Sequence, residues 1–246
     1  MAHQLVGFAN EIHAAIRSAA QGRTPLPDRK FSKDDEYVGY GLKTAVWRDT
    51  MRPFRPRIVA LSHDERLDLA EALLGERIGE LGHSGIYVLA LSVRELGPPH
   101  FDRLDDIAGD LIGWSHVDGF CGGVLQPLLL AHREATLALL ADWNTSSNRW
   151  KRRASVVAFT RKIGESGRFT DEALLECENL IWDEEDLVQK GVGWALKDVM
   201  RGDREQVIAY VKELRRRGVS STITLYAIRD LRGDERRSVL DVQAGR

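Results

Sequence analysis

A chain of 246 residues, 43% hydrophobic and 29% charged, has the composition of a soluble globular protein and can bury roughly 70–75% of its unfolded surface. A net charge of −2 excludes a molecule that is basic throughout, and no apolar run approaches the ~20 residues of a membrane helix. Two isolated cysteines, Cys121 and Cys177, exclude a disulfide framework or a CxxC metal site, and the first residues lack a secretory pattern, so a cytoplasmic protein is expected.

Helical signals dominate from the N-terminus onward. Lys43 to Arg57 carries five bases (Lys43, Arg48, Arg52, Arg55, Arg57) against Asp49 alone. Ser62 and Glu65 form a capping box before "RLDLAEALLGERI". Next comes "LIGWSHVDGFCGG", where Trp114 and Asp118 stand four residues apart. On a helix both lie on one flank of an apolar face made by Val117, Phe120, Cys121, Val124 and Leu128, about 40° from each other. Two readings are open. The pair is a displayed indole and carboxylate suited to a cation, or a core tryptophan beside an aspartate in a helix's first turn.

"NRWKRRASVV" follows, and Arg149 to Arg168 holds seven bases against Glu165. Two apolar faces compete there, Trp150, Ala154 and Val157 against Val156, Phe159 and Ile163, so the wheel leaves the direction of Arg153 open. Thr170, with Asp171 and Glu172 behind it, starts "ALLECENLIW". Asp171 to Asp186 contains eight acids and no base, so the alternating blocks can give one positive and one negative face. In "DLVQKGVGWALKDVM", Val188, Val192, Ala195, Leu196 and Val199 form the buried stripe, and Trp194 points about 140° away from its centre, among Lys190, Lys197 and Asp198. Gly191 and Gly193 in the same helix predict close approach of another helix or of a ligand. Trp194 then either packs on a neighbouring repeat or faces a ligand. Asp203 with Gln206 caps "VIAYVKELRRR", and Gly218 stops it. No run alternates as a strand should.

About a dozen helices with short connectors fit a bundle or a solenoid. The intervals favour the solenoid: Trp114 to Trp150 is 36 residues and Arg153 to Trp194 is 41, near the ~40–47 of HEAT and armadillo repeats. The predicted fold is therefore an all-α superhelical solenoid of HEAT-like helical repeats with a concave face, one domain over residues 1–232, followed by a flexible tail over 233–246.

"WSHVD", "NRWKRRAS" and "VQKGVGWALKD", in that order, together with "YGLKTAVWRDTM", resemble the AlkD-like bacterial DNA alkylation-repair glycosylases over residues 37–230. The resemblance implies a concave DNA-binding face and release of purines alkylated at N3 or N7 from duplex DNA, without need to extrude the base, leaving an abasic site. It implies a functional quartet of Trp114, Asp118, Arg153 and Trp194, all of whose residue types are kept here. In the role so implied, Asp118 faces the sugar, Trp114 and Trp194 pack on its edge, and Arg153 holds a phosphate. Lys151, Arg152, Lys190, Lys197, Lys43 and Arg48 would add backbone affinity. The sequence departs from the family pattern at Leu225 and Tyr226 in the last helical segment, where DNA contacts are expected.

No metal or cofactor is expected. His116 has no metal-spaced partner, and the glycines of "FCGGVLQP" lack the Lys-Ser/Thr of a phosphate loop. A monomer is expected. The rival readings are a glycosylase specialised for bulky cationic adducts of DNA-alkylating natural products (a self-resistance role), a non-catalytic binder of damaged or branched DNA, and a protein-binding scaffold. The lesion is not legible in the sequence.

Overall fold

A computed structural model describes residues 2–242, and it is all-α apart from one two-stranded turn of sheet among the described residues. Contacts divide the chain into two compact units, Met1–His132 and Arg133–Arg246, where the sequence predicts one domain over 1–232.

The N-terminal unit begins with α1 (Ala2–Ala19). A non-helical segment follows, pinned by β1 (Leu26–Pro27) and β2 (Val38–Gly39), which pair antiparallel. Then come α2 (Thr44–Met51), α3 (Arg55–Ala60), α4 (His63–Gly75), α5 (Gly79–Ser92), α6 (Phe101–Gly109), α7 (Trp114–Phe120) and α8 (Gln126–Ala131). The Ser62–Glu65 capping box starts α4 as predicted: Ser62 Oγ accepts from the Glu65 amide, and the Glu65 carboxylate accepts from the Ser62 amide. α4 packs on α5, α1 on α4, and α5 on α7.

Between α7 and α8 the chain makes one π turn, Cys121–Leu125, so the helix is continuous from Trp114 to Ala131 with one widened turn. Pro127 lies just beyond the turn and has no amide to give to an earlier carbonyl. The glycines here serve packing: a Cβ on Gly123 would sit 3.2 Å from Ala90 Cβ of α5.

The C-terminal unit holds α9 (Arg133–Asn144), α10 (Arg149–Val157), α11 (Arg161–Glu165), α12 (Thr170–Leu180), α13 (Asp186–Gly202), α14 (Arg204–Arg216), α15 (Ser221–Ala227) and α16 (Gly233–Leu240). α13 is its axis, packed by α10, α11, α12 and α15. The whole predicted stripe, Val188, Val192, Ala195, Leu196 and Val199, is buried. Asp203 caps α14 by accepting from the Gln206 amide at 3.2 Å, and Gly218, at φ +77°, ends it in the left-handed conformation.

The predicted tail is corrected over Gly233–Leu240. α16 forms there because Val239 is fully buried and Glu235 pairs with Arg204 of α14. Residues 243–246 of that predicted tail lie outside the described residues.

Candidate functional site

In the N-terminal unit the site is built on α7. Trp114 and Asp118 are both half-buried, one helical turn apart. The indole is fixed by the non-helical segment that precedes α2. Its Nε1–H donates to the Lys30 carbonyl at 2.7 Å, its ring lies 5.4 Å from that of Phe31, and its backbone amide donates to the Phe31 carbonyl. Neither open reading holds in full: Trp114 is not a core residue, but its displayed ring is tethered at the nitrogen edge. The tether is invisible in the sequence, because two-residue strands carry no periodicity.

The same segment closes a cavity of about 900 Å³ against α2, α5 and α7, walled in part by Phe31, Tyr37, Trp47, His83 and Trp114. Its polar groups are largely satisfied from within. The Glu80 carboxylate accepts from the amides of Tyr40 and Leu42, each at 2.9 Å, and so holds the segment against α5. Trp47 Nε1–H donates to Ser84 Oγ at 3.0 Å. Ser115 Oγ lies 3.3 Å from His83 Nε2. His116, buried behind them, donates from Nε2 to the Gly79 carbonyl at 2.8 Å and stands edge-on to His83 at 4.6 Å.

Burial dominates the titration of these rings. It pushes His83 down to about 4, against a weaker opposite pull from Glu80. It pushes His116 down to about 3, helped by the neighbouring His83. Burial, then Glu80, raises the Tyr37 phenol. At neutral pH all three rings are uncharged.

In the C-terminal unit α10, which carries Arg153, packs on α13, which carries Trp194. Gly191 lies at that contact: a Cβ there would meet Val156 at 3.3 Å and the Arg153 Cγ at 3.4 Å. The direction left open by the wheel is inward. Arg153 is 5% exposed, and its Nη1 donates to the Leu187 carbonyl at the start of α13. Both competing faces of this segment are buried, because α9, α12 and α13 all cover α10 and the helix ends at Val157, before Phe159 and Ile163 turn in.

Trp194 is half-buried, off the apolar stripe as predicted, and the Arg161 guanidinium stacks on its ring at 5.0 Å. Arg161 was missed by the sequence reading. It opens α11 at φ +55°, and its amide is held by Asp198 Oδ2 at 2.7 Å, which fixes the arginine over the indole. Gly193 proves to be a helix contact. A Cβ there would sit 2.7 Å from Tyr226 Cβ and 3.0 Å from the Ile223 carbonyl of α15. Tyr226, one of the two departures from the family pattern, is thus packed beneath the Trp194 helix. Leu225, the other, is largely exposed.

The six expected backbone-binding residues divide. Lys43 and Arg48 on and before α2 are exposed. Lys190 is exposed and paired with Asp186 at 2.7 Å, and Lys151 is half-buried. Lys197 is drawn in against Asp198 at 2.8 Å. Arg152 is corrected: Nε and Nη2 bind both oxygens of Asp183 at 2.6 and 3.3 Å, and Nη1 binds the carbonyls of Ser146 and Ser147. Its fork is filled by its own fold. The expected negative face is corrected in the same way. Arg133 pairs with Glu172, Arg217 with Glu178, and Arg152 with Asp183, so bases from elsewhere neutralise much of the acidic block.

A family model described as DNA alkylation repair enzyme matches residues 12–231. Among curated proteins, none matches this sequence. Two solved structures share the fold at 15% identity. A predicted DNA alkylation repair enzyme from Enterococcus faecalis superposes with a TM-score of 0.67 over 90% of this chain and 95% of its own. The alkylpurine DNA glycosylase AlkC of Pseudomonas fluorescens, bound to DNA containing an abasic site analog, gives 0.52 over 91% of this chain and 62% of its own.

Proposed function

The chain belongs to the DNA alkylation repair enzyme family, and from that premise we propose that it is a DNA glycosylase that releases cationic N3- or N7-alkylated purines from duplex DNA. The observation that carries the reading is the tethered indole of Trp114 with Asp118 one turn beyond it on the same face of α7. An alkylated purine already bears positive charge, so it leaves without a general acid. As the C1′–N bond breaks, its electron pair neutralises the purine and the positive charge passes to the sugar.

Asp118 opposes that charge and orients a water whose oxygen bonds to C1′. The water's proton passes to the carboxylate and then to solvent. One preorganised contact of this kind contributes about 3–4 kcal/mol to the barrier. Trp114 offers a ring face to the positive sugar, worth roughly 0.5–2 kcal/mol. In the C-terminal unit Trp194 keeps one ring face for the duplex, since Arg161 stacks on the other. Arg153, 5% exposed and anchored to the Leu187 carbonyl, braces α10 against α13 rather than meeting a phosphate. Lys43, Arg48, Lys151 and Lys190 supply salt-sensitive attraction to the backbone. Because the leaving group needs no enclosing acid, the base can depart without first being extruded.

The test is release of 7-methylguanine from methylated duplex. Asp118→Asn removes the charge and keeps the shape. Release should fall about 10²–10³-fold, with duplex affinity in a gel-shift titration kept. Unaltered release by this variant would overturn the assignment.

A further inference from the structure

The cavity beside Trp114 is far larger than the proposed reaction on a methylated purine requires. At about 900 Å³ it has the size of a site for a drug-sized molecule, whereas a methyl group needs almost no room. One part of its wall is built of rings, Phe31 and Tyr37 on the non-helical segment, Trp47 on α2 and Trp114 on α7, and charged residues such as Arg23 and Lys30 also line it. Phe31 contacts both Tyr37 and Trp114, at 4.5 and 5.4 Å between centroids, so these three form one aromatic wall. Gly113, before α7, leaves the space that the Tyr37 ring fills: a Cβ there would meet Tyr37 Cδ2 at 2.6 Å. Ser115 and the uncharged His83 also line the cavity, hydrogen-bonded to each other and able to meet one polar edge.

Trp114 belongs both to this wall and to the proposed contact with the reacting sugar, while Asp118, one turn on, does not line the cavity. A ligand with its sugar at Asp118 therefore meets the cavity past the indole.

We propose that this cavity is a subsite for a flat aromatic ring system carried next to the reacting nucleotide. This rests on the glycosylase reading of Trp114 and Asp118. Two sources share that chemistry: an aromatic substituent on the alkylated purine, and a nucleobase displaced from the stack beside it. The aromatic wall stacks on the rings, and the Ser115–His83 pair bonds an edge.

The experiment uses the full chain and its Thr24→Trp variant, which places a bulky ring at the cavity lining. Release of 7-benzylguanine and of 7-methylguanine is measured from matched duplexes. A second pair of duplexes carries 2-aminopurine next to the lesion, whose fluorescence brightens when that base unstacks. In the third arm, free 7-benzylguanine is titrated into both proteins by calorimetry.

If the subsite takes the substituent, the benzyl-to-methyl ratio of kcat/KM falls about tenfold or more in Thr24→Trp. If it takes a displaced base, the ratio holds and the 2-aminopurine brightening is lost instead. If the variant changes neither signal and both proteins bind free 7-benzylguanine equally, or not at all, the subsite is overturned. Should the native protein release no 7-methylguanine, the glycosylase reading fails by itself. Calorimetric binding of free 7-benzylguanine that is lost in the variant would still uphold the cavity as an aromatic site. A variant that does not fold, seen by circular dichroism, is replaced by Leu26→Trp, which narrows the same cavity from β1.

Discussion

Near Trp114, the N-terminal unit sets uncharged rings, His83, His116 and the Tyr37 phenol, around one carboxylate, Glu80, that backbone amides hold. Near Trp194, the C-terminal unit buries paired charges. Asp198, 2% exposed, pairs with Lys197 at 2.8 Å and Arg201 at 3.3 Å, and Arg152 grips Asp183. Neutral rings leave stacking faces to the cavity, while the Glu80 charge is met by the amides of Tyr40 and Leu42. A helix that must hold a basic surface beside a tryptophan is better braced by ion pairs, which fix long side chains. Each choice makes its unit vulnerable to a different change.

The sharpest contrast lies in the chemistry. Asp118→Asn should cost about 3–4 kcal/mol of barrier, an effect read in base release far more than in the melt. Asp183→Ala should do the reverse. It strands the Arg152 guanidinium, at a cost of about 3 kcal/mol in stability, or roughly 6–12 °C in melting temperature for a chain of this size. A melting temperature that Asp183→Ala leaves unmoved would mean that the two units are braced alike.

Acid should then separate the units. His83 and His116 titrate at about 4 and 3 when folded, below the ordinary ~6.5 of the unfolded chain. Protons are taken up by the unfolded state first, so their contribution is present above pH 6.5 and is lost as pH falls toward 4. Between pH 7 and 5 each ring should cost the N-terminal unit about 2 kcal/mol.

Glu176 in the C-terminal unit is 5% exposed, and burial pushes its carboxyl up to about 7. Here the folded state takes the proton first. Its contribution is complete below the unfolded value near 4.5 and is lost as pH rises through 7. From pH 7 to 5 it should return about 2 kcal/mol. Amide protection factors measured by mass spectrometry, corrected for the slower intrinsic exchange in acid, should therefore fall in residues 5–132 and rise in 133–242 as pH falls. Parallel changes in both, or retention of the C-terminal effect in Glu176→Gln, would remove the distinction.

Trp194→Ala should be milder. The ring is half-buried and outside the apolar stripe, so release should weaken about tenfold, with little change in the melt. A melt that collapses would make Trp194 a packing residue. The smallest effect belongs to the surface: Lys43→Ala should lower the slope of log affinity against log salt by about one, equally for damaged and undamaged duplex.

The contrast between units also explains what could be read in advance. Ser62 with Glu65, Asp203 with Gln206, and the stripe from Val188 to Val199 are local patterns of one helix, and each was legible. So was Trp194, because a wheel reports which face a residue takes. What was hidden depends on partners far along the chain. Arg152 reads as a surface base until Asp183, 31 residues later, closes on it. Arg161 gives no sign of stacking on Trp194 until α11 is laid against α13. The segment between α1 and α2 gives no periodic signal at all, yet it shapes the cavity and tethers Trp114. The predicted tail failed for the same reason, since only α14 makes α16 worth forming.

The anchor of the Trp114 indole is a peptide oxygen at position 30, contributed from 84 residues upstream. A main-chain acceptor is indifferent to which side chain stands above it. The ring's orientation can therefore persist while position 30 drifts freely through evolution, and aligned sequences would carry no mark of it. An insertion, a deletion or a backbone kink between α1 and α2 would let the indole swing without touching a single residue of α7.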